Sequence, residues 1–128
     1  MSFDISVLDL VPVPSGTAPS QALRDTLDLA QAAQAAGYTR YWISEHHSMP
    51  AIASASPEVL LSRIGALTDT LRIGSGGIML PNHSPMRVAE HFKALEALYP
   101  GRVDLGLGRA PGSDARANRA MHASSGEH

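Results

Sequence analysis

The spacing of hydrophobic residues alternates along the chain between a pattern typical of strands and one typical of helices. Residues 3–10 are rich in strand-forming side chains and lead into a proline-containing loop. Between residues 20 and 36, Leu23 and Leu27 stand four positions apart, as residues on one helix face do. Gly37 follows where a glycine commonly ends a helix. This stretch therefore predicts a strand, a loop and an amphipathic helix.

This unit of one strand and one helix repeats at a nearly constant interval. The predicted strands begin near residues 3, 38, 71 and 103, which gives spacings of 35, 33 and 32 residues. Such a repeat is typical of the βαβ unit, in which parallel strands are joined by right-handed crossovers. Two architectures use it, the open doubly wound sheet and the closed eight-stranded barrel. Eight such units would need about 260 residues, close to the usual barrel size, whereas this chain has 128.

Composition narrows the classes of partner. The net charge is −2 and the ten basic residues are scattered, so no basic stripe could follow a phosphate backbone, and we expect no nucleic-acid partner. The absence of cysteine excludes disulfides and thiolate metal sites. No secretory signal or long apolar run is visible, so we expect no membrane partner and a cytoplasmic location.

Candidate chemistry lies at the ends of the predicted strands, where parallel α/β folds place their ligands. The second strand ends in Glu45-His46-His47. Adjacent residues of an extended chain point to opposite faces, so both histidines cannot face one small ligand without a bend. Neither a His-Glu-x-x-His pattern nor a cysteine pair is present, and we predict no metal. The remaining interpretations are a structural hydrogen bond in a loop, or one histidine that carries a proton in a cleft.

The third strand runs into Ser75-Gly76-Gly77, whose small residues suit either of two structures. One is a plain turn at the strand end, and the other is a backbone against which a flat ligand lies directly. Neither glycine cluster in the chain satisfies the dinucleotide fingerprint, because the third glycine would fall at Met79 or at Pro111. This argues against a nicotinamide-binding Rossmann domain.

Arg109 directly follows the fourth strand and precedes a glycine-containing loop. Its planar guanidinium matches phosphate oxygens, so one interpretation is a phosphate clamp at the ligand-binding edge. The other interpretation is a surface arginine that pairs with Asp104 or Asp114.

Taken together and in order, these motifs resemble the bacterial luciferase-like family of flavin-dependent monooxygenases. The matching stretches are SVLDLVPVPSG, YWISEHHSMP, RIGSGGIMLPNHSPMRVAEHF and LYPGRVDLGLGRAPGSD, which cover about residues 5–114. The likeness is to the alkanal-monooxygenase-like oxidoreductases. Gly108 stands where light-emitting relatives carry a cysteine, which argues against luminescence. It implies an α/β fold, the N-terminal half of a (β/α)₈ TIM barrel, over residues 1–114. Residues 115–128 would form a divergent tail without a fifth strand.

The resemblance also implies roles for the strand-end residues. His46, together with Glu45, would be catalytic, with His46 exchanging a proton during the reaction. The Ser75-Gly76-Gly77 stretch would lie against the flavin ring, and the peptide between its glycines would be cis. Arg109 would contact the flavin phosphate.

The implied reaction inserts oxygen from O₂ into a small-molecule substrate, with reduced FMN supplied by a separate flavin reductase. A deazaflavin is the alternative cofactor. A half barrel would leave open strand edges and an unfilled inner face, so we expect the isolated chain to be weakly active or inactive. The alternative function is a non-catalytic fragment that acts by self-association, as a homo-oligomer, or by pairing with a homologue.

Overall fold

A computed structural model describes residues 2–122 of the chain, and within that range strands and helices alternate throughout. The elements are β1 (Ser6–Asp9), α1 (Pro19–Ala35), β2 (Arg40–Ile43), α2 (Pro57–Leu67), β3 (Arg72–Met79), a 3₁₀ turn (Leu80–Asn82), α3 (Pro85–Leu98), β4 (Val103–Gly108) and α4 (Ala115–His122). The alternation predicted from the spacing of hydrophobic residues is confirmed.

The four strands form one sheet in the order β1-β2-β3-β4, and every neighbouring pair is parallel. Tyr41 pairs with Val7 on one side and with Ile73 on the other. The pairing of β3 with β4 shifts between Ser75 and Ile78, where three steps along β3 match two along β4. The parallel α/β architecture follows from the βαβ repeat, because each helix returns the chain to the starting edge of the sheet.

Proline begins three of the helices, at Pro19, Pro57 and Pro85. A proline in the first helical turn is already held at a helical φ, and the N–H that it lacks would have had no partner there. All three helices follow loops from strand ends. Each of these prolines thus marks in the sequence the point where a helix begins.

The hydrophobic core lies between the sheet and its three crossover helices. Tyr41, Ile43 and Ile73 project from the strands into this layer and are fully buried. The helices contribute buried residues of their own to it, among them Ala30, Leu61, Ile64, Val88, Phe92 and Leu95. Alternate strand residues therefore face the helices, and the residues between them face the other side of the sheet.

That other side, which we call the inner face, has no helices over it in the described range. It carries Leu8, Arg40, Trp42 and Asp104, which line an open cavity of about 540 Å³. The Leu8 side chain is 55% exposed. In a complete barrel the equivalent surface is packed against residues of the other strands. The half-barrel character predicted from the sequence is therefore visible as an uncovered apolar and charged face.

The segment predicted as a tail begins with α4, an eight-residue helix with no buried residue. Residues 123–128 of that predicted tail lie outside the described range. The boundary at residue 114 stays a prediction. Among residues 2–122, no helix combines the length and apolar character needed to cross a bilayer.

Candidate active site

The carboxyl ends of β2, β3 and β4 lie at one edge of the sheet, because these strands are parallel neighbours. The backbone N–H of Met79, at the end of β3, donates a 3.1 Å hydrogen bond to Glu45, which follows β2. The backbone N–H of His47 donates to the carbonyl of Gly112, which follows β4, at 2.8 Å. Hydrogen bonds thus join the ends of β2, β3 and β4 directly, as expected for parallel neighbouring strands.

Glu45 links this edge together from a position that is only 1% exposed. Its Oε1 accepts hydrogen bonds from Met79 N and from His83 Nε2, at 3.1 and 2.8 Å. Its Oε2 accepts from His47 Nε2 and from Asn82 Nδ2, at 2.7 and 3.2 Å. An ionised carboxylate only accepts, so Nε2 carries the hydrogen in both histidine rings.

The charge state of Glu45 follows from these contacts. Burial by itself raises its pKa, but the hydrogen bonds from His47, His83, Met79 and Asn82 outweigh burial and hold the pKa below the usual glutamate value. Glu45 is therefore an anion at neutral pH. Because each oxygen already accepts two hydrogen bonds, the carboxylate has little capacity left to take a proton from a ligand.

His46 is placed differently from its neighbours. Its backbone N–H donates to the carbonyl of Ser54, and its Nδ1 lies 3.0 Å from Ser44 Oγ, which in turn contacts Ser54 Oγ at 3.1 Å. The half-buried ring leaves Nε2 without a hydrogen-bond partner among residues 2–122. One nitrogen of His46 is thus held by the protein while the other is available for proton exchange.

The third-strand motif divides into a buried and an accessible part. Ser75 is fully buried, and its hydroxyl donates to Gly106 O at 2.9 Å and accepts from Gly106 N at 3.2 Å. The Gly76–Gly77 peptide is cis, as the resemblance implies. A Cβ on Gly76 would lie 2.8 Å from Leu8 and 3.0 Å from Trp42, so Gly76 belongs to the inner face. The predicted cofactor contact of Ser75 stays a prediction, and its bonds indicate that it fixes β3 to β4.

Arg109 is exposed and makes no hydrogen bond or ion pair within the described range. It pairs with neither aspartate of the alternative interpretation: Asp104 pairs with Arg40 and Arg72, and Asp114 accepts the N–H of Ala117. With Leu80, Pro81, Leu107 and Gly108, Arg109 lines an open cavity of about 420 Å³. The guanidinium is therefore accessible to a ligand, which is what a phosphate clamp requires.

A second buried carboxylate supports the tip of β1. Asp9 accepts hydrogen bonds from Val11 N at 2.7 Å, from Thr26 Oγ1 at 2.9 Å and from the Tyr41 hydroxyl. Burial, and next the bond to Asp9, raises the pKa of Tyr41, so the phenol stays protonated. Val11 has φ of +52°, which a β-branched residue rarely adopts. Asp9 thus holds a strained turn where β1 enters the site edge.

Two residues that sequence reasoning did not select prove central to the edge. Asn82 donates from Nδ2 to Glu45 and also to Pro111 O, at 2.6 Å. His83, 31% exposed at its side chain, donates to Glu45. The only sequence signal was a polar pair a few residues after a strand. Their partners lie 29 to 38 positions away in the chain, so spacing alone could not find them.

A parallel sheet with helices on one side, an open inner face and polar groups at the strand ends defines part of a (β/α) barrel, a fold whose ligand sites lie at the carboxyl ends of the strands. Comparison with known proteins agrees with that class. The family model described as luciferase-like monooxygenase matches residues 1–125. The chain belongs to the luciferase-like monooxygenase family.

Individual relatives extend this finding. A luciferase-like monooxygenase of Escherichia coli (strain K12) is 56% identical over 116 residues, which are 91% of this chain and 35% of that protein. The crystal structure of apo-MsnO8 superimposes with a TM-score of 0.89 at 42% identity, covering 92% of this chain and 36% of that one. The chain therefore spans about a third of the length of these relatives.

A more distant likeness concerns the fold alone. The oxygenating constituent of 3,6-diketocamphane monooxygenase from the CAM plasmid of Pseudomonas putida, solved in complex with FMN, has a TM-score of 0.81 at 22% identity. The match covers 95% of this chain and 33% of that one. Four parallel strands with crossover helices thus form the same part of a luciferase-like TIM barrel in both proteins.

Proposed function

We propose that this chain is the flavin-binding part of an FMN-dependent monooxygenase, which uses O₂ and reduced FMN to oxygenate a small-molecule substrate. The observation that carries the proposal is the joining of three strand ends at one edge, where His46 Nε2 and the Arg109 side chain have no partner among residues 2–122. Family membership supports the class of reaction. Reduced FMN, when bound, supplies the electrons that activate O₂.

The residues present fit a flat ring with an anionic tail. Gly76 and Gly77 are half-exposed backbone without side chains, next to the exposed apolar side chain of Leu8. Apolar surface and bare backbone suit an aromatic ring system. Arg109, at the end of the neighbouring strand, supplies the cation for a phosphate. The same features would accept a deazaflavin, which remains the alternative cofactor of this proposal.

The proton chemistry falls to His46 in this proposal. Its Nδ1 is held by Ser44, so the free Nε2 can give or take a proton at a ligand placed over the strand ends. Glu45 would contribute by holding the strand ends in place, because its oxygens are occupied by four donors. This assigns the two predicted catalytic residues different tasks.

The uncovered inner face implies that the reaction needs more protein than residues 2–122 provide. Leu8 on this face is 55% exposed and lines an open cavity together with Trp42. A bound flavin must be shielded from water for its reduced form to be used productively. We propose that further strands, from the remainder of a barrel, a homologue or a second copy of the chain, cover this face, and that a separate flavin reductase supplies reduced FMN.

Arg109→Ala is the direct test of cofactor binding. Loss of charge-assisted hydrogen bonds of about 1.5–3 kcal/mol should raise the Kd for reduced FMN by roughly 10- to 100-fold. The Kd for reduced riboflavin, which has no phosphate, should be unchanged. Anaerobic fluorescence titrations of the chain with both ligands measure this, and Arg63→Ala, an exposed arginine on α2, is the matched control. Equal loss for both flavins would remove the phosphate contact from the proposal.

His46→Ala tests proton transfer in a barrel completed with strands five to eight. Removing a general acid–base group should slow turnover by about 10²- to 10⁴-fold. FMN affinity should stay the same, because His46 is not a predicted cofactor ligand. Stopped-flow turnover and FMN titration separate the two effects. Unchanged turnover would exclude His46 from the mechanism.

A further inference from the structure

The segment that carries Arg109, residues 109–114 between β4 and α4, which we call the Arg109 loop, is fastened to the neighbouring strand ends at three points. His47 N donates to Gly112 O at 2.8 Å, and Asn82 Nδ2 donates to Pro111 O at 2.6 Å. A Cβ built on Gly112 would lie 2.8 Å from the Glu45 carbonyl oxygen, so the loop packs directly on the backbone after β2. The position of Arg109 therefore depends on contacts made two and three residues further along the loop.

The Asn82 amide can adopt only one orientation in this arrangement. Its Nδ2 donates both hydrogens to groups that only accept, the Glu45 carboxylate and the Pro111 carbonyl. A flipped amide would place Oδ1 against two acceptors. In the observed orientation Oδ1 is buried without a hydrogen-bond partner among the described residues. A buried acceptor without a partner is unfavourable, so the two donated bonds are what hold the side chain here.

The anchor at the other end of Asn82 is rigid. Glu45 is almost fully buried, and Met79, His47 and His83 also donate to it. A carboxylate fixed by four donors provides a stationary reference point at the ends of β2 and β3. Asn82 thus connects the fixed Glu45 carboxylate to the Arg109 loop.

We propose that Asn82 is a positioning residue, which holds the Arg109 loop against the ends of β2 and β3 and so aims Arg109 at an anionic ligand. The ligand part of this inference rests on the proposed function, namely that Arg109 binds the phosphate of FMN. The loop-holding part rests only on the observed hydrogen bonds. The two parts can therefore fail separately.

Hydrogen exchange of single backbone amides tests the loop-holding part on the chain itself. In Asn82→Ala the His47 amide, which is bonded to Gly112 O, should exchange at least about tenfold faster, because the loop opens more often. The amides of Ser44 and His46 are the internal controls, since they bond to Asp9 O and Ser54 O instead. Their exchange should stay within about twofold of the wild-type rates.

A matched asparagine variant separates positioning from a general loss of stability. Asn118 on α4 is also half-buried, and its Oδ1 has no hydrogen-bond partner among the residues that the structure describes. Asn118→Ala therefore removes an amide without removing a bond to a strand end. We expect wild-type exchange at His47 in that variant. Asn82→Asp, which places a carboxylate against Glu45 and Pro111 O, should accelerate exchange at His47 more than Asn82→Ala does. Equal exchange at His47 in wild type and Asn82→Ala, or fast exchange in the wild type itself, would overturn the proposal.

Titration with reduced FMN and reduced riboflavin tests the ligand part. Asn82→Ala should raise the Kd for FMN by roughly fivefold or more and leave that for riboflavin unchanged, since only the phosphate contact is displaced. If Asn82 only stabilised the fold, its loss would raise the Kd for both flavins together. If Arg109→Ala selectively weakens FMN and Asn82→Ala does not, the positioning inference fails and the proposed function stands. If neither variant is selective, the phosphate contact of the proposed function fails, and hydrogen exchange still decides whether Asn82 holds the loop.

Discussion

The two ends of the sheet are each tied together by one carboxylate, but with different donors. At the carboxyl end, Glu45 is 1% exposed and accepts from two imidazoles, an amide and a backbone N–H. At the amino end, the Asp104 side chain is 19% exposed and accepts from Arg40, Arg72 and Trp42. Each carboxylate thus connects neighbouring strands.

The difference in donors separates the proposed binding edge from a structural one. Guanidinium groups are always charged, so the Arg40–Asp104–Arg72 cluster has a fixed charge at all ordinary pH values. At the Glu45 end the donors are two imidazoles, a side-chain amide and a backbone N–H, and Arg109 nearby makes no ion pair within the described range. Proteins commonly concentrate function where side chains are fixed but a cation or proton carrier remains available. That combination occurs at the Glu45 end.

The largest expected effect comes from Glu45→Gln. The glutamine amide would face donors where the wild type has a carboxylate oxygen, leaving buried N–H groups unsatisfied. Breaking a buried, hydrogen-bonded charge typically costs about 3–5 kcal/mol in the free energy of unfolding. Urea unfolding at pH 7, followed by circular dichroism, measures the difference from wild type. Glu90→Gln, in an exposed pair with Arg87, is the matched control and should change stability by less than about 1 kcal/mol.

The pH dependence of this difference tests its cause. The pKa of Glu45 in the folded chain lies below its ordinary value of 4.5. A carboxyl whose pKa is lowered by folding stabilises the folded state above that ordinary value, and loses this contribution as the pH falls through the lower, folded-state pKa. The gap between wild type and Glu45→Gln should therefore narrow below pH 4.5. A gap that stays constant to pH 3 would show that the charge of Glu45 does not matter.

The sequence predicts the elements better than it predicts their contacts. Strand starts expected near residues 3, 38, 71 and 103 are found at Ser6, Arg40, Arg72 and Val103. Apolar spacing is a local property, so it marks each element and its order. The largest offset is at β1, an edge strand that begins only after Phe3 and Ile5, because these two residues are exposed and lack the burial that would define a start.

The strand-end motifs were found from sequence, whereas the bonds between them were not. Glu45 and Arg109 could be selected because each lies just after a strand. Gly76-Gly77 were expected at a strand end, but β3 continues through them to Met79. The hydrogen bond from Ser75 to Gly106 depends on the register of β3 and β4. The hydrogen bond from Asn82 to Pro111 depends on how the Arg109 loop folds back towards the end of β3. Both are long-range contacts, which side-chain type and local spacing do not encode.

The smallest expected effect, at the amino end, completes the contrast. Asp104 lies between Arg40 and Arg72, whose side chains are themselves about a third exposed, so water and salt screen these pairs. Asp104→Asn should lower the free energy of unfolding by about 1 kcal/mol in dilute buffer, as expected for partly exposed ion pairs. At about 1 M NaCl, where the Debye length is near 3 Å, that cost should largely disappear. The cost of Glu45→Gln should not, because its partners are shielded by the protein. Urea unfolding of both variants at low and high salt measures this directly.

If Asp104→Asn proves as costly as Glu45→Gln and equally insensitive to salt, the two ends of the sheet are energetically alike. Donor chemistry would then no longer distinguish the structural edge from the proposed binding edge.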